Sequence, residues 1–147
     1  MTEACLNQIR AGLDPEIRKG HEGIVYLLGR TDGVVTLAVS VFRPAAETTR
    51  GSFFVESRAM AVAVRTAARF AMQIVAQVHT HPGAAFHSDG DVEGAKIRYS
   101  GYSSLVIPAY GRNLPNLDGV AAYMFIREQG WIPLGPSSLL IVPTDAR

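Results

Sequence analysis

Residues 23–43, GIVYLLGRTDGVVTLAVSVFR, decide the fold. Two runs rich in β-branched and large apolar residues flank Thr31-Asp32-Gly33, and Asp-Gly supplies the positive φ angles of a tight turn, so the stretch reads as an antiparallel hairpin. Upstream, residues 3–12 have the spacing of a short helix with Leu6 and Ile9 on one side. Leu13-Asp14-Pro15 is expected to interrupt it, since proline disfavours helix in the residue before it, leaving a connector to Gly20. Downstream, Pro44 closes the second strand and opens a polar connector with an extended piece at Phe53–Val55. A long helix is expected from Ser57 as N-cap, with Met60, Val64, Ala67 and Ala71 on its apolar face and Arg58, Arg65 and Arg69 largely elsewhere. Residues 74–81 read as a strand ending at Pro82, and 103–108, 120–127 and 131–134 as further strands, with 137–142 a last candidate before a polar tail. The order predicts an α/β (α+β) fold, a mixed β-sheet sandwiched by helices, with residues 1–147 as one domain.

Composition narrows the function classes. The 147 residues are 48% hydrophobic and 18% charged with a net charge of +1, which suggests neither nucleic acid nor an acidic membrane as partner. The apolar runs fall short of the roughly 20 residues of a membrane helix, and the first residues lack the basic-then-apolar pattern of a secretory signal, so a cytoplasmic protein is expected. Cys5 is the only cysteine. It excludes an intramolecular disulfide and the cysteine-rich zinc arrangements, and it reads as a small buried apolar group.

Chemistry concentrates in residues 77–91, QVHTHPGAAFHSDGD, which hold three of the four histidines. On a strand, His79 and His81 project from one face with Thr80 pointing away. Such a pair supplies two nitrogen ligands for zinc, and a third ligand would leave one tetrahedral position for water; an ordinary satisfied histidine pair is the competing reading. Ser88 and Asp91 have the spacing of a capping box at a helix start, which is one use for them; aiming a carboxylate back at the strand end is another. A general base would have to come from elsewhere. Glu22, at the head of EGIVYLLG, is the candidate, against its reading as a solvated residue at a strand end.

Taken together, these residues resemble the JAMM metallopeptidase family, also called the MPN+ domain: a Glu heading an apolar segment that closes in Leu-Gly, then His-x-His-Pro, a short loop and Ser-x-x-Asp. Glu22 stands seven positions before Gly29, followed by His79-Thr80-His81-Pro82 and Ser88-Asp89-Gly90-Asp91, so the resemblance spans at least residues 20–108. It implies a JAMM/MPN (cytidine deaminase-like) core, with His79, His81 and Asp91 as Zn2+ ligands, Glu22 as general acid/base, and Ser88 as a donor to the oxyanion. Two departures stand out. The loop before Ser88 is one residue shorter than the family spacing, which makes Asp89 a rival to Asp91, and Val25 stands where many relatives carry Gly. Asp91 is preferred because a deletion is tolerated more easily in an irregular loop than in a helix start. His21 and His87 neighbour the proposed catalytic residues and read as loop imidazoles or as hydrogen-bond partners of those neighbours.

The resemblance also implies an activity: zinc-dependent cleavage after the C-terminal tail of ubiquitin or a ubiquitin-like protein, as in stand-alone bacterial members that accompany E1-like and E2-like enzymes, including those of antiviral operons. Two alternatives are release of an amino acid such as cysteine from a β-grasp sulfur carrier, and a non-catalytic MPN-type scaffold. An extended tail could add to a strand edge at Phe53–Val55 or after Asp91, with Thr48-Thr49-Arg50-Gly51 as a wall. Other motifs fail. Val25 occupies the second His position of a His-Glu-x-x-His helix, one cysteine forbids a zinc deaminase, and Gly51-Ser52 and Gly101-Tyr102-Ser103 lack the second glycine of a nucleophile elbow.

Overall fold

A computed structural model describes residues 1–143. It contains helices α1 (Glu3–Lys19), α2 (Ser57–Arg69) and α3 (Asp89–Gly94), and strands β1 (Ile24–Thr31), β2 (Thr36–Phe42), β3 (Glu47–Thr48), β4 (Phe53–Phe54), β5 (Gln73–Thr80), β6 (Ser103–Ile107), β7 (Ala121–Ile126) and β8 (Gly130–Leu134). Six strands form one mixed sheet in the order β2-β1-β5-β6-β7-β8, and β3 and β4 form a separate small hairpin. Only β5 and β6 run parallel. The predicted mixed sheet between helices is the architecture observed.

Two cores lie on opposite faces of the sheet. On one, Cys5, Leu6, Ile9 and Leu13 of α1 pack on Val25, Leu27, Val78, Leu105 and Ile107; on the other, Ala63 and Ala67 of α2 pack with Ile24, Tyr26, Ile74 and Tyr102. Gly12 lets α1 approach closely: a Cβ there would stand 3.0 Å from Val25 Cγ1. Val25 is completely buried, so the departure noted at this position is a packing feature. Burial pushes the Cys5 thiol up to about 11, which makes it the inert apolar group expected.

The predicted hairpin turns at Asp32, whose carboxylate accepts from the backbone N–H groups of Val34 and Val35 at 2.9 and 2.7 Å. Its β2 begins at Thr36 rather than at Val34. The ladder bulges between Leu28 and Gly29, where a Cβ on Gly29 would lie 1.9 Å from the Leu37 carbonyl oxygen. Glycine is required by that approach.

Four expectations are corrected. The first helix does not stop before Pro15 but runs to Lys19 and closes on Gly20 at φ 65. Buried Leu13 and Glu16 flank Pro15 and carry the buried stripe across it, and Asp14 pairs with both Arg10 and Arg18, so tertiary burial outweighs the local proline penalty. Ser57 is the first helical residue of α2 and not its cap; Glu56 stands there with no side-chain cap bond. The buried face of α2 is Ala63 and Ala67 rather than one running through Val64 and Ala71; Val64 is exposed, and Ala71 lies beyond the helix at φ 51. Small side chains there let the helix sit close to the sheet. Finally, residues 137–142 form no strand: a 3-10 turn at Pro136–Ser138 leads to one bridge between Val142 and Thr2. The tail expected beyond it lies, from residue 144, outside the described residues. Among the described residues no helix is long and apolar enough to cross a membrane.

Candidate metal centre

β5 lies between β1 and β6, and its C-terminal end carries the histidine pair. Ile24 pairs with His79 across the β1–β5 ladder, and His79 pairs with Val106 of β6. The ladder does not end there. Thr80 N–H donates to the Gly23 carbonyl at 3.0 Å, the Gly23 N–H donates to Thr80 Oγ1 at 2.8 Å, and His81 N–H donates to the Ile107 carbonyl at 2.9 Å. Thr80 points away from the histidines, as alternation requires, and bolts the Glu22 segment to the His segment. His79 and His81 are buried, their ring centroids 5.2 Å apart.

The chain returns through a loop to Ser88, the N-cap of α3. Ser88 Oγ accepts from Asp91 N–H at 3.2 Å, Ser88 N–H donates to Asp91 Oδ2 at 2.8 Å, and Ser88 Oγ–H donates to the same oxygen at 2.7 Å. This reciprocal box turns the carboxylate toward the strand, where Oδ1 lies 3.2 Å from His79 Nε2 and Oδ2 lies 3.1 Å from His81 Nε2. The two aspartates differ in placement: the Asp91 carboxylate meets the histidines and Asp89 is exposed. One donor atom from each of His79, His81 and Asp91 lies within 4.8 Å of the others, and they form the one such group among the described residues.

Electrostatics follow from this packing. Burial alone would raise the Asp91 carboxyl, but His79, His81 and Ser88 outweigh it and hold Asp91 well below the usual carboxylate range. The hydrogen bond to Asp91 raises His81, burial opposes it, and the charges of Asp91 and Glu22 add to the rise. Glu22 is buried at the mouth of β1; burial raises its carboxyl, with His81 pulling it down and Asp91 pushing it up. With His81, Ser88 and Asp91 it lines a cleft of about 480 Å³ that continues along Phe53 and Phe54 of β4.

The residues fit a divalent ion. His79 Nε2 is buried and has no hydrogen-bond partner among the described residues, because the Asp91 contact is close but lacks hydrogen-bond alignment. A buried imidazole nitrogen facing a carboxylate and a second imidazole is left unsatisfied by protein groups alone, and a cation would satisfy it. Two imidazoles and one carboxylate suit zinc and leave a coordination position open.

His21 and His87 are not among the converging donors. His21 Nδ1 pairs with Thr48 Oγ1 at 3.2 Å. His87 is more than a partly exposed loop imidazole: its ring stacks on Tyr123 with centroids 3.9 Å apart, and its Nε2 lies 2.8 Å from the fully buried Ser104 Oγ. Burial and then the neighbouring His79 depress its pKa to about 4. Sequence reading missed Gln77, Ser104, Tyr123 and Trp131 around it. The available signal was Gln77, two residues before His79 and therefore on the same strand face.

No family model matches the chain. It is 29% identical over 152 residues to the Probable metalloprotease y4jG of Sinorhizobium fredii (strain NBRC 101917 / NGR234), covering 92% of this chain and 86% of that protein. In structure it is similar to the solution structure of protein DSY2949 from Desulfitobacterium hafniense, with a TM-score of 0.66 and 18% identity over 97% of this chain and 90% of that one. That second likeness concerns the fold.

Proposed function

We propose that this chain is a zinc-dependent peptidase of the JAMM type that cleaves after the C-terminal tail of a ubiquitin-like protein. The observation that carries the reading is the convergence of His79, His81 and Asp91 beside buried Glu22 in one cleft. The 29% identity to a probable metalloprotease supports the peptidase class. The substrate class and the E1-like and E2-like partners rest on the resemblance of the Glu, His-x-His-Pro and Ser-x-x-Asp segments.

When bound, zinc supplies Lewis acidity to the scissile carbonyl and to the attacking water. His79 Nε2, His81 Nε2 and an Asp91 oxygen would hold it. Glu22 takes a proton from the water and delivers it to the departing amine; its raised carboxyl pKa brings it nearer the range in which it can do both. Ser88 Oγ–H is directed at Asp91 in this structure. It would serve the oxyanion once the ion, rather than the hydroxyl, neutralises that carboxylate. The β4 wall, with Phe53 5.3 Å from the His79 ring, would guide an extended tail into the cleft.

The test is cleavage by the zinc-loaded chain of ubiquitin-like and sulfur-carrier tails, each fused through its C-terminus to a reporter amine, with and without chelator. Chelator-sensitive release from a ubiquitin-like fusion is expected. Release from the carrier fusion alone would move the substrate to the sulfur-carrier class, and no chelator-sensitive release from any fusion would overturn the peptidase reading.

A further inference from the structure

The short helix α3 carries the Asp91 donor, yet none of its six residues is buried. A helix of this length does not hold itself in place, and a capping box contributes only about 1 kcal/mol. Beyond its C-terminal end Arg98 reaches back to the Val92 and Glu93 carbonyls, a contact on the exposed side. Something must fix the other end, where the carboxylate is aimed.

Immediately before the cap stands His87. Its backbone N–H donates to Tyr123 Oη at 3.2 Å, its ring lies nearly flat on the Tyr123 ring at an interplanar angle of 12°, and Trp131 meets it edge-on with centroids 4.9 Å apart. Its Nε2 shares a hydrogen bond with Ser104 Oγ, which also accepts from Gln77 Nε2 at 3.3 Å. Gln77 and Ser104 are register partners across β5 and β6, and Ser104 and Tyr123 are partners across β6 and β7. These three form one row straight across the sheet. His79 lies in the next row on the same face, its ring 6.1 Å from that of His87.

We infer that His87 is a positioning residue: docked on the Gln77–Ser104–Tyr123 row, it pins the start of α3 so that Asp91 meets the two histidines, and it thereby sets metal affinity without ligating metal. The loop from Pro82 to Ser88 is short and has no other side chain seated in the sheet; Pro82, Gly83, Ala84 and Phe86 are exposed. Besides the His87 peg, that stretch is related to the end of β5 by the Asp91 contacts and by exposed Phe86, whose ring meets the His81 ring edge-on with centroids 5.1 Å apart and so touches a donor rather than the sheet. The proposal rests on the metal-centre reading above.

The experiment measures Zn2+ affinity by chelator competition and the Co2+ ligand-field spectrum for the wild-type chain, His87→Ala, His87→Phe and Ser104→Ala, with circular dichroism as the check on folding. His87→Ala is expected to fold, to bind Zn2+ about 10- to 100-fold more weakly, and to show altered Co2+ bands. His87→Phe keeps the stack on Tyr123 and should recover part of that loss. Wild-type affinity and spectrum in His87→Ala would overturn the inference. If that variant does not fold, Ser104→Ala decides: weakened Zn2+ binding supports the inference, and unchanged binding overturns it. A wild-type chain that takes up no Zn2+ would overturn the metal-centre reading and this inference together, whereas normal uptake with unchanged variants would overturn this inference alone.

Discussion

Ser88 Oγ lies 2.7 Å from the Asp91 oxygen that faces His81 Nε2 at 3.1 Å. A helix cap and a candidate metal ligand are therefore one object, and the first prediction separates it from its neighbour. Asp91→Asn should lose nearly all bound metal, as should His79→Ala and His81→Ala, while Asp89→Asn keeps about one ion per chain. Elemental analysis of the purified variants after dialysis gives the answer. Metal loss from Asp89→Asn with retention in Asp91→Asn would reverse the assignment.

Glu22→Gln should retain metal and lose about 10²-fold or more in kcat, because proton transfer is removed while the donor set is untouched. The same variant makes a stability prediction for the metal-free chain. Burial raises the Glu22 carboxyl above its ordinary 4.5, so over that window the folded state holds a proton that the unfolded state has released, and stability falls as pH rises. Glutamine has no proton to lose. The variant's melting temperature relative to wild type should thus be higher at pH 8 than at pH 4; a difference independent of pH would argue against the raised carboxyl.

Thr80→Val keeps the shape of the residue between the histidines and removes the acceptor of the buried Gly23 N–H. An unpaired buried N–H costs about 1–3 kcal/mol. Since that bond ties the Glu22 segment to β5, kcat should fall about tenfold with metal content unchanged. Unaltered kcat would show that Glu22 is positioned by other contacts, such as its own backbone bond to the Thr49 carbonyl.

Gly29→Ala should destabilise the chain by about 3 kcal/mol or more, because its Cβ would overlap a backbone oxygen that cannot rotate away. Urea unfolding measures it. A midpoint near wild type would mean that the bulge at Leu28 and Gly29 relaxes without effort.

Much of this was legible because it is local. Asp32-Gly33 announces a turn, His-x-His on a strand must share a face, and Ser88 with Asp91 spells a cap; each needs only neighbouring residues. What escaped depends on distance. Helix α1 continues through Pro15 because Leu13 and Glu16 find burial against other elements, which no propensity records. The face of α2 was misread because Val64 is more apolar than Ala63, whereas close packing on the sheet selects the smaller residue. The row Gln77–Ser104–Tyr123 exists only once the β5–β6 and β6–β7 registers are known, so the seat of His87 could not be read from one sequence. Leu140, Ile141 and Val142 look like a strand by composition, but their backbone meets residues 1–3 through a single bridge and forms no ladder among the described residues.

The spacing of the site residues also bears on the order in which the site forms. Ten residues separate His81 from Asp91, while fifty-seven separate Gly23 from Thr80, the joint that brings in Glu22. Short loops close sooner and at less entropic cost than long ones. The three candidate donors are thus close in sequence, although the seat of His87 needs β6 and β7 as well, whereas Glu22 reaches them only through the β1–β5 ladder. On the proposed reading, a chain whose β1–β5 ladder is incomplete would keep its donor set and lack its base.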